Sequence, residues 1–134
     1  METKSSPFHI AVIEDEKPMA DLIADILHKF EPLIELFETG KAFLKCTSME
    51  SFTHVVMDLS LPDLDGIELM PHLTRLPHTC TILLISGHSE HVIQAAAFYG
   101  KALGFMSIKT LRKPFSASEL RAALGLLPRE STLV

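Results

Sequence analysis

Short apolar runs rich in β-branched residues alternate along this chain with segments whose apolar residues repeat at helical spacing. Such runs are typical of strands buried on both faces, and the helical segments supply the crossovers that parallel strands require. We count five such units, with strands expected at 8–15, 33–37, 54–58, 80–86 and 106–111. The pattern predicts an α/β fold in which a doubly wound, five-stranded parallel sheet carries helices on both faces.

Local signals mark where several helices should begin and end. Thr39 and Asp65 are expected to cap the second and third helices, and Ser116 with Glu119 forms a capping box before the last one. Pro71 should interrupt the third helix. Two apolar stripes should face the sheet: Leu22, Ile23, Ile26, Leu27 and Phe30 on the first helix, and Leu120, Leu124 and Leu127 on the last helix, which Pro128 closes.

Length and composition describe one folded domain. Of the 134 residues, 47% are apolar and 22% are charged, and a chain of this length can bury a core without disulfides or metals. We assign residues 8–128 to the domain, and residues 1–7 and 129–134 to flexible tails. Cys46 and Cys80 are too far apart for a CxxC motif and are expected to be buried thiols.

Charge and hydropathy exclude two classes of partner. The formal net charge of -5 comes without a cluster of Lys or Arg, so direct binding to nucleic acid is not expected. The amino-terminal segment lacks the apolar stretch of a signal peptide, and no apolar run approaches the ~18 residues that cross a bilayer. We therefore expect a cytoplasmic protein without membrane contact.

Acidic residues follow two of the expected strands. Glu14 and Asp15 end the first strand, and Asp58 ends the third. Because ligand sites of open parallel sheets lie at the carboxyl ends of the strands, these carboxylates converge if the two strands are neighbours. Like charges at short range are costly unless a positive group lies among them, and an all-oxygen site with room for waters suits Mg²⁺. The sequence thus predicts a magnesium site.

The fourth and fifth strands end in groups that suit a phosphoryl group. Ser86 offers a hydroxyl, Gly87 leaves room for a tetrahedral group, and Lys113 brings an ammonium. With the carboxylates and the metal, these side chains describe a phosphoryl pocket in which Asp58 is the nucleophile. Lys113 would neutralise charge on the phosphoryl oxygens, and Ser86 would donate a hydrogen bond to one of them. The product would be an acyl phosphate on Asp58.

In combination, these motifs resemble the receiver domains of two-component response regulators, which have the CheY-like (flavodoxin-like) fold. The resemblance runs from about Phe8 to Leu127 and rests on the acidic pair, VVMDLSLPDLDG, LLISG and Lys113-Pro114-Phe115. It implies a strand order of 2-1-3-4-5. It also implies a regulatory domain that is not an enzyme beyond handling its own phosphoryl group.

The resemblance further implies a role for each site residue. Asp58 would receive its phosphoryl group from a histidine kinase or a histidine phosphotransfer protein. Asp15 and Asp58 would bind Mg²⁺ directly together with the backbone carbonyl of Ser60, whereas Glu14 would act through a water. Lys113 would contact the phosphoryl group and precede a cis peptide bond. Phosphorylation would pull Ser86 toward the new oxygens and shift the fourth helix and fifth strand, changing what the α4-β5-α5 face binds.

The chain also departs from many receivers. Thr110 stands three residues before the lysine, where an aromatic switch residue is common, and the segment LGFMSIKTLRKPF resembles receivers attached to cyclic-di-GMP phosphodiesterase (EAL) domains. Ser60 and His88, each two residues after a site residue, would flank the path of an attacking water. We therefore predict that these two side chains set the lifetime of the acyl phosphate.

Other functions fit fewer of these residues. Haloacid-dehalogenase-like phosphotransferases need a second Asp where this chain has Ser60. A receiver-shaped binding module that never uses phosphate typically lacks one of the acids or the lysine. In this chain all three acids and the lysine are present. His88 and His91 have the i, i+3 spacing of a transition-metal pair, but surface histidines are the default interpretation. The kinase, the downstream target or effector domain, and a possible homodimer are not specified by the sequence.

Overall fold

A computed structural model describes residues 7–126. Its strands are β1 (His9–Ile13), β2 (Leu33–Phe37), β3 (His54–Asp58), β4 (Thr81–Ser86) and β5 (Ser107–Arg112). Its α-helices are α1 (Lys17–Leu27), α2 (Gly40–Lys45), α3 (Gly66–Leu69), α4 (Glu90–Ala102) and α5 (Ala117–Ala123). Short 3₁₀ helices at His28–Phe30, Met49–Ser51 and Met70–His72 complete the described secondary structure. Strands and helices alternate as the sequence pattern predicts.

The five strands form one parallel sheet in the order β2-β1-β3-β4-β5. This order confirms the predicted fold and makes β1 and β3 neighbours. Every residue of β3 is buried, which explains why its central residues 55–57 are all apolar and do not alternate with polar ones.

Successive side chains of the strands enter two separate cores. Ala11 and Ile13 of β1 point to the core that holds Phe43 of α2, Leu69 of α3, and Ile93 and Ala96 of α4. Ile10 and Val12 point to the core that holds Ile23 and Leu27 of α1, and Leu120 and Leu124 near α5. Helices therefore cover both faces of the sheet, as expected for a doubly wound fold.

The predicted helix starts are confirmed by side-chain hydrogen bonds. Thr39 Oγ1 accepts from Ala42 N at 3.0 Å, and complete capping boxes begin α3 at Asp65 and α5 at Ser116. The third helix also ends early, as Pro71 predicts, because residues Met70–His72 form a 3₁₀ turn.

Two expectations about the helices need correction. Leu22 was expected to face the sheet but is 47% exposed, and Ala20 is buried on α1. Helix α5 ends at Ala123, because Gly125 adopts a left-handed conformation with φ of 75° and Leu126 N bonds back to Arg121 O. The expected contact of Leu127, the stop at Pro128, the tail 129–134 and residues 1–6 lie outside the described residues.

Two remaining expectations concern the cysteines and the membrane. Both cysteines are free; Cys80 is buried, whereas Cys46 is only partly buried. Among residues 7–126, none of the helices is both long and apolar enough to cross a bilayer.

Candidate phosphoacceptor site

Three carboxylates meet at the carboxyl end of the sheet. Glu14 and Asp15 directly follow β1, and Asp58 is the last residue of the adjacent β3. One oxygen from each lies within 4.8 Å of the others. Glu14 and Asp58 are buried, whereas Asp15 is exposed. The structure thus brings together the three acids that the sequence selects, with one side of the cluster open to solvent.

Lys113 places its ammonium group between two of these acids. Lys113 Nζ lies 2.9 Å from Asp58 Oδ2 and 3.4 Å from Glu14 Oε1. The lysine follows β5, and its backbone N donates to Ser86 O at 2.9 Å. The peptide bond from Lys113 to Pro114 is cis, as predicted. The lysine therefore reaches Asp58 across β4, and Glu14 across β4 and β3.

The acids carry more negative charge than one lysine neutralises. Burial raises the pKa of Glu14 to about 7, and the nearby Asp58 charge adds to this, while the Glu16 backbone N–H and Lys113 act in the opposite direction. Burial alone would lower the pKa of Lys113, but its hydrogen bond to Asp58 and the two carboxylate charges raise it on balance. An all-oxygen cluster that resists full ionisation fits a hard divalent cation, because the cation would relieve the repulsion.

The orientation of the Asp58 carboxylate is fixed from two directions. Ser60 N donates to Oδ1 at 2.9 Å, and Lys113 donates to Oδ2 at 2.9 Å. The neighbouring Ser86 is fully buried at the end of β4, and its Oγ accepts from His88 N at 2.9 Å. A Cβ added at Gly87 would meet no atom within 4 Å, so there is open space beside this loop.

The loops after β3 and β4 are joined by a contact that sequence reasoning missed. Ser60 Oγ and His88 Nε2 lie 2.8 Å apart, within hydrogen-bond distance. The sequence selects both residues for their spacing from Asp58 and Ser86, but spacing alone does not show that they touch. The pair connects the loop that follows β3 to the loop that follows β4.

A groove lies on the face formed by α4, β5 and α5, away from the acidic cluster. It has a volume of about 630 Å³, and its lining includes Phe98, Ile108 and Thr110. Phe98 is 76% exposed, and the adjacent Tyr99 is 37% exposed. The apolar run of residues 95–99 on α4 is therefore partly on the surface.

Sheet order, acidic pocket and lysine together define a class of regulatory domain with a pocket that fits a phosphoacceptor aspartate. The chain belongs to the response regulator receiver domain family, whose model matches residues 10–125. A haloacid-dehalogenase-like enzyme and a module that does not use phosphate are therefore not favoured, because the family model matches and the three acids and Lys113 lie together.

Individual relatives agree with this assignment. The transcriptional regulatory protein FixJ of Bradyrhizobium diazoefficiens is 33% identical over 92% of this chain and 58% of its own length. The BeF3-activated receiver domain of DrrB, from Thermotoga maritima, is 26% identical with a TM-score of 0.68, covering 86% of this chain and 92% of that chain. A response regulator from Burkholderia pseudomallei with a phosphorylated aspartic acid and a calcium ion is 25% identical with a TM-score of 0.72, covering 87% and 66%. The chain spans about half the length of the first curated relatives that it matches.

Proposed function

We propose that Asp58 accepts a phosphoryl group from a phosphohistidine of a sensor histidine kinase or a histidine phosphotransfer protein. A carboxylate oxygen of Asp58 attacks phosphorus, the phosphorus–nitrogen bond breaks, and the imidazole leaves with the electron pair and takes up a proton. The observation that carries this proposal is the buried Asp58 carboxylate, bonded to Lys113 and Ser60 beside two further acids. The phosphorylated aspartic acid of the Burkholderia relative supports the same chemistry here.

Three residues act on the phosphoryl group or on the nucleophile. Asp58 is the nucleophile. Lys113, which pairs with Asp58 in this structure, transfers its contact to a phosphoryl oxygen and offsets the added charge. Ser86, whose Oγ accepts from His88 N in this structure, donates a hydrogen bond from its hydroxyl to another phosphoryl oxygen.

The residues that would hold Mg²⁺ are Asp15 and Asp58 directly, the backbone carbonyl of Ser60, and Glu14 through a water. Bound Mg²⁺ supplies charge neutralisation and orients the phosphoryl oxygens. The closeness of the three carboxylates and the raised pKa of Glu14 support this assignment, because both describe an oxygen cluster that gains from a cation.

The output follows from a change in the population of two conformations. Movement of Ser86 toward the phosphoryl group shifts α4 and β5, and the α4-β5-α5 face then binds a downstream partner, an effector domain or a second copy of the chain. Exposed Phe98 and the groove beside it support this face as the contact surface. We place this exchange in the cytoplasm, without direct binding to nucleic acid and without enzymatic activity toward other molecules.

The Ser60–His88 pair sets the lifetime of the acyl phosphate by restricting the approach of the hydrolytic water. Both side chains stand on the loops beside Asp58, and they are 2.8 Å apart. The variants Ser60→Ala and His88→Ala should therefore lose phosphate at rates different from wild type. Phosphoryl decay after removal of the donor measures this, and unchanged rates in both variants count against the assignment.

The proposal is tested by incubating the protein with acetyl phosphate and Mg²⁺ and measuring its intact mass. Wild type should gain one phosphoryl group, and the isosteric Asp58→Asn variant should not. Addition of a chelator should abolish the gain. If wild type gains no mass, the protein acts as a binding module that does not use phosphate.

A further inference from the structure

The loop of residues 59–65, between β3 and α3, is tied to a neighbouring helix by the carboxylate of Asp63. Gly40 N donates to Asp63 Oδ1 at 3.1 Å, and Lys41 N donates to Oδ2 at 2.9 Å. These are the first two backbone N–H groups of α2, which have no partner inside the helix. One side chain therefore joins the loop after the phosphoacceptor strand to the helix that follows β2.

Close packing at the same point reinforces this tie. A Cβ at Gly40 would lie 3.3 Å from Leu64 O and 3.4 Å from the side chain of Leu69. Helix α2 thus approaches the loop backbone where only a glycine fits without a shift. The hydrogen bond from Lys41 N lowers the pKa of Asp63, and the bond from Gly40 N lowers it further by a smaller amount. The Asp63 carboxylate therefore stays charged and accepts both bonds.

The same loop carries groups of the candidate metal site. Ser60 N donates to Asp58 Oδ1 at 2.9 Å, and Gly66 N donates to Leu59 O at 3.1 Å. These two bonds hold the base of the loop, whereas Asp63 holds its outer part against α2. Mg²⁺ demands near-ideal octahedral geometry, so its binding depends on how firmly the loop is placed.

We propose that Asp63 is a positioning residue for the Mg²⁺ site: by fixing the loop against α2, it keeps the Ser60 carbonyl and the Asp58 carboxylate in ligating geometry. This inference rests on the proposed function. Asp63 acts through its bonds to Gly40 N and Lys41 N, and it touches neither the metal nor the phosphoryl group.

Thr39 provides a matched control on the same helix. Its Oγ1 accepts from Ala42 N at 3.0 Å, so Thr39→Ala removes a cap of α2 without removing the bonds of Asp63 to the helix. If loss of any cap affects the metal site through α2 stability, Thr39→Ala and Asp63→Ala should behave alike. If the tie to the loop is what matters, only Asp63→Ala should affect the metal.

A second comparison separates position from charge. Asp63→Asn and Asp63→Ala both remove one negative charge near the site, but the amide oxygen of Asn still accepts from one of the two backbone N–H groups. Calorimetric titration of each variant with MgCl₂ gives its dissociation constant. Removal of a residue that bonds directly to a metal ligand typically costs about 10-fold or more in affinity. Asp63 bonds to α2 and not to a ligand, so we expect a smaller loss, ~3- to 10-fold for Asp63→Ala. The loss should be smaller still for Asp63→Asn, and Thr39→Ala should not change the affinity.

Hydrogen exchange of the metal-free proteins provides a readout that does not depend on Mg²⁺. Amides of residues 59–66 should exchange faster in Asp63→Ala than in wild type, and at the wild-type rate in Thr39→Ala. Equal Mg²⁺ affinities for Asp63→Ala and Asp63→Asn, or an equal loss in Thr39→Ala, would overturn the inference. If wild type binds no Mg²⁺, the proposed function fails. Independently of that result, an unchanged exchange rate of residues 59–66 in Asp63→Ala would show that Asp63 does not hold the loop.

Discussion

Replacement of Glu14 by Gln should stabilise the metal-free protein, and by an amount that depends on pH. Glu14 is 2% exposed and lies beside Asp58. Burial raises its pKa from 4.5 to about 7, so the folded protein binds a proton that the unfolded chain has already lost. Stability must therefore fall as the pH rises from 4.5 through 7, since ionisation favours the unfolded state over this range.

The size of the effect follows from the same two values. The difference between 4.5 and about 7, at 1.36 kcal/mol for each pKa unit, amounts to about 3 kcal/mol. Gln resembles the protonated acid and has no such ionisation. Glu14→Gln should therefore exceed wild type in unfolding free energy by about 3 kcal/mol near pH 8, and by less than about 1 kcal/mol near pH 5.

Urea denaturation of both proteins at several pH values, with a chelator present, measures this difference. The exposed Asp25→Asn on α1 is a control for the loss of one negative charge, and it should show no comparable pH-dependent difference. Addition of Mg²⁺ at about pH 8 should stabilise wild type more than Glu14→Gln, because a ligand that binds only the folded state adds to its stability and the cation is attracted by the Glu14 carboxylate charge that Gln lacks. A Glu14→Gln advantage that is the same at every pH, or a variant less stable than wild type at high pH, would refute the reasoning.

Three further predictions concern the packing around the site and the sheet. A Cβ at Gly66 would lie 2.7 Å from Leu59 Cδ2 and 3.0 Å from its Cα, so Gly66→Ala should lose about 1–3 kcal/mol of stability in urea denaturation, while Gly87→Ala, where the space is open, should change little; equal losses would contradict this. Burial lowers the pKa of His54 from 6.5, so wild type should lose stability relative to His54→Gln as the pH falls below that value, and parallel pH profiles would argue against it. Burial raises the pKa of the Cys80 thiol to about 12, so a thiol reagent should modify Cys80 only upon unfolding; because Cys46 is also a free thiol, the test uses Cys46→Ser protein, and rapid labelling of its native form would show that the Cys80 site is open.

The sheet and the site could be predicted because their signals are local. Residues 10–13 of β1 are fully buried, and a strand buried on both faces appears in the sequence as an unbroken apolar run. The acids and Ser86 each follow or end such a run, and Lys113 follows the less apolar β5; a parallel sheet brings all of these strand ends to one edge.

What the sequence did not reveal depends on contacts between distant segments. Asp63 bonds to backbone groups more than twenty residues away, and the Ser60–His88 contact joins two different loops. Neither leaves a periodic pattern. The end of α5 was placed too late because Leu127 continues the helical spacing, whereas the left-handed Gly125 stops the helix first.

Chemical location of the phosphoryl group tests the central claim most directly. Protein treated with acetyl phosphate and Mg²⁺ can be reduced with borohydride, which converts an aspartyl phosphate to homoserine, and the modified residue can be identified by peptide mass spectrometry. We expect homoserine at position 58 alone, and none in Lys113→Ala protein treated for the same short time. Modification at another carboxylate, or none in wild type, would contradict the assignment of Asp58 as the phosphoacceptor.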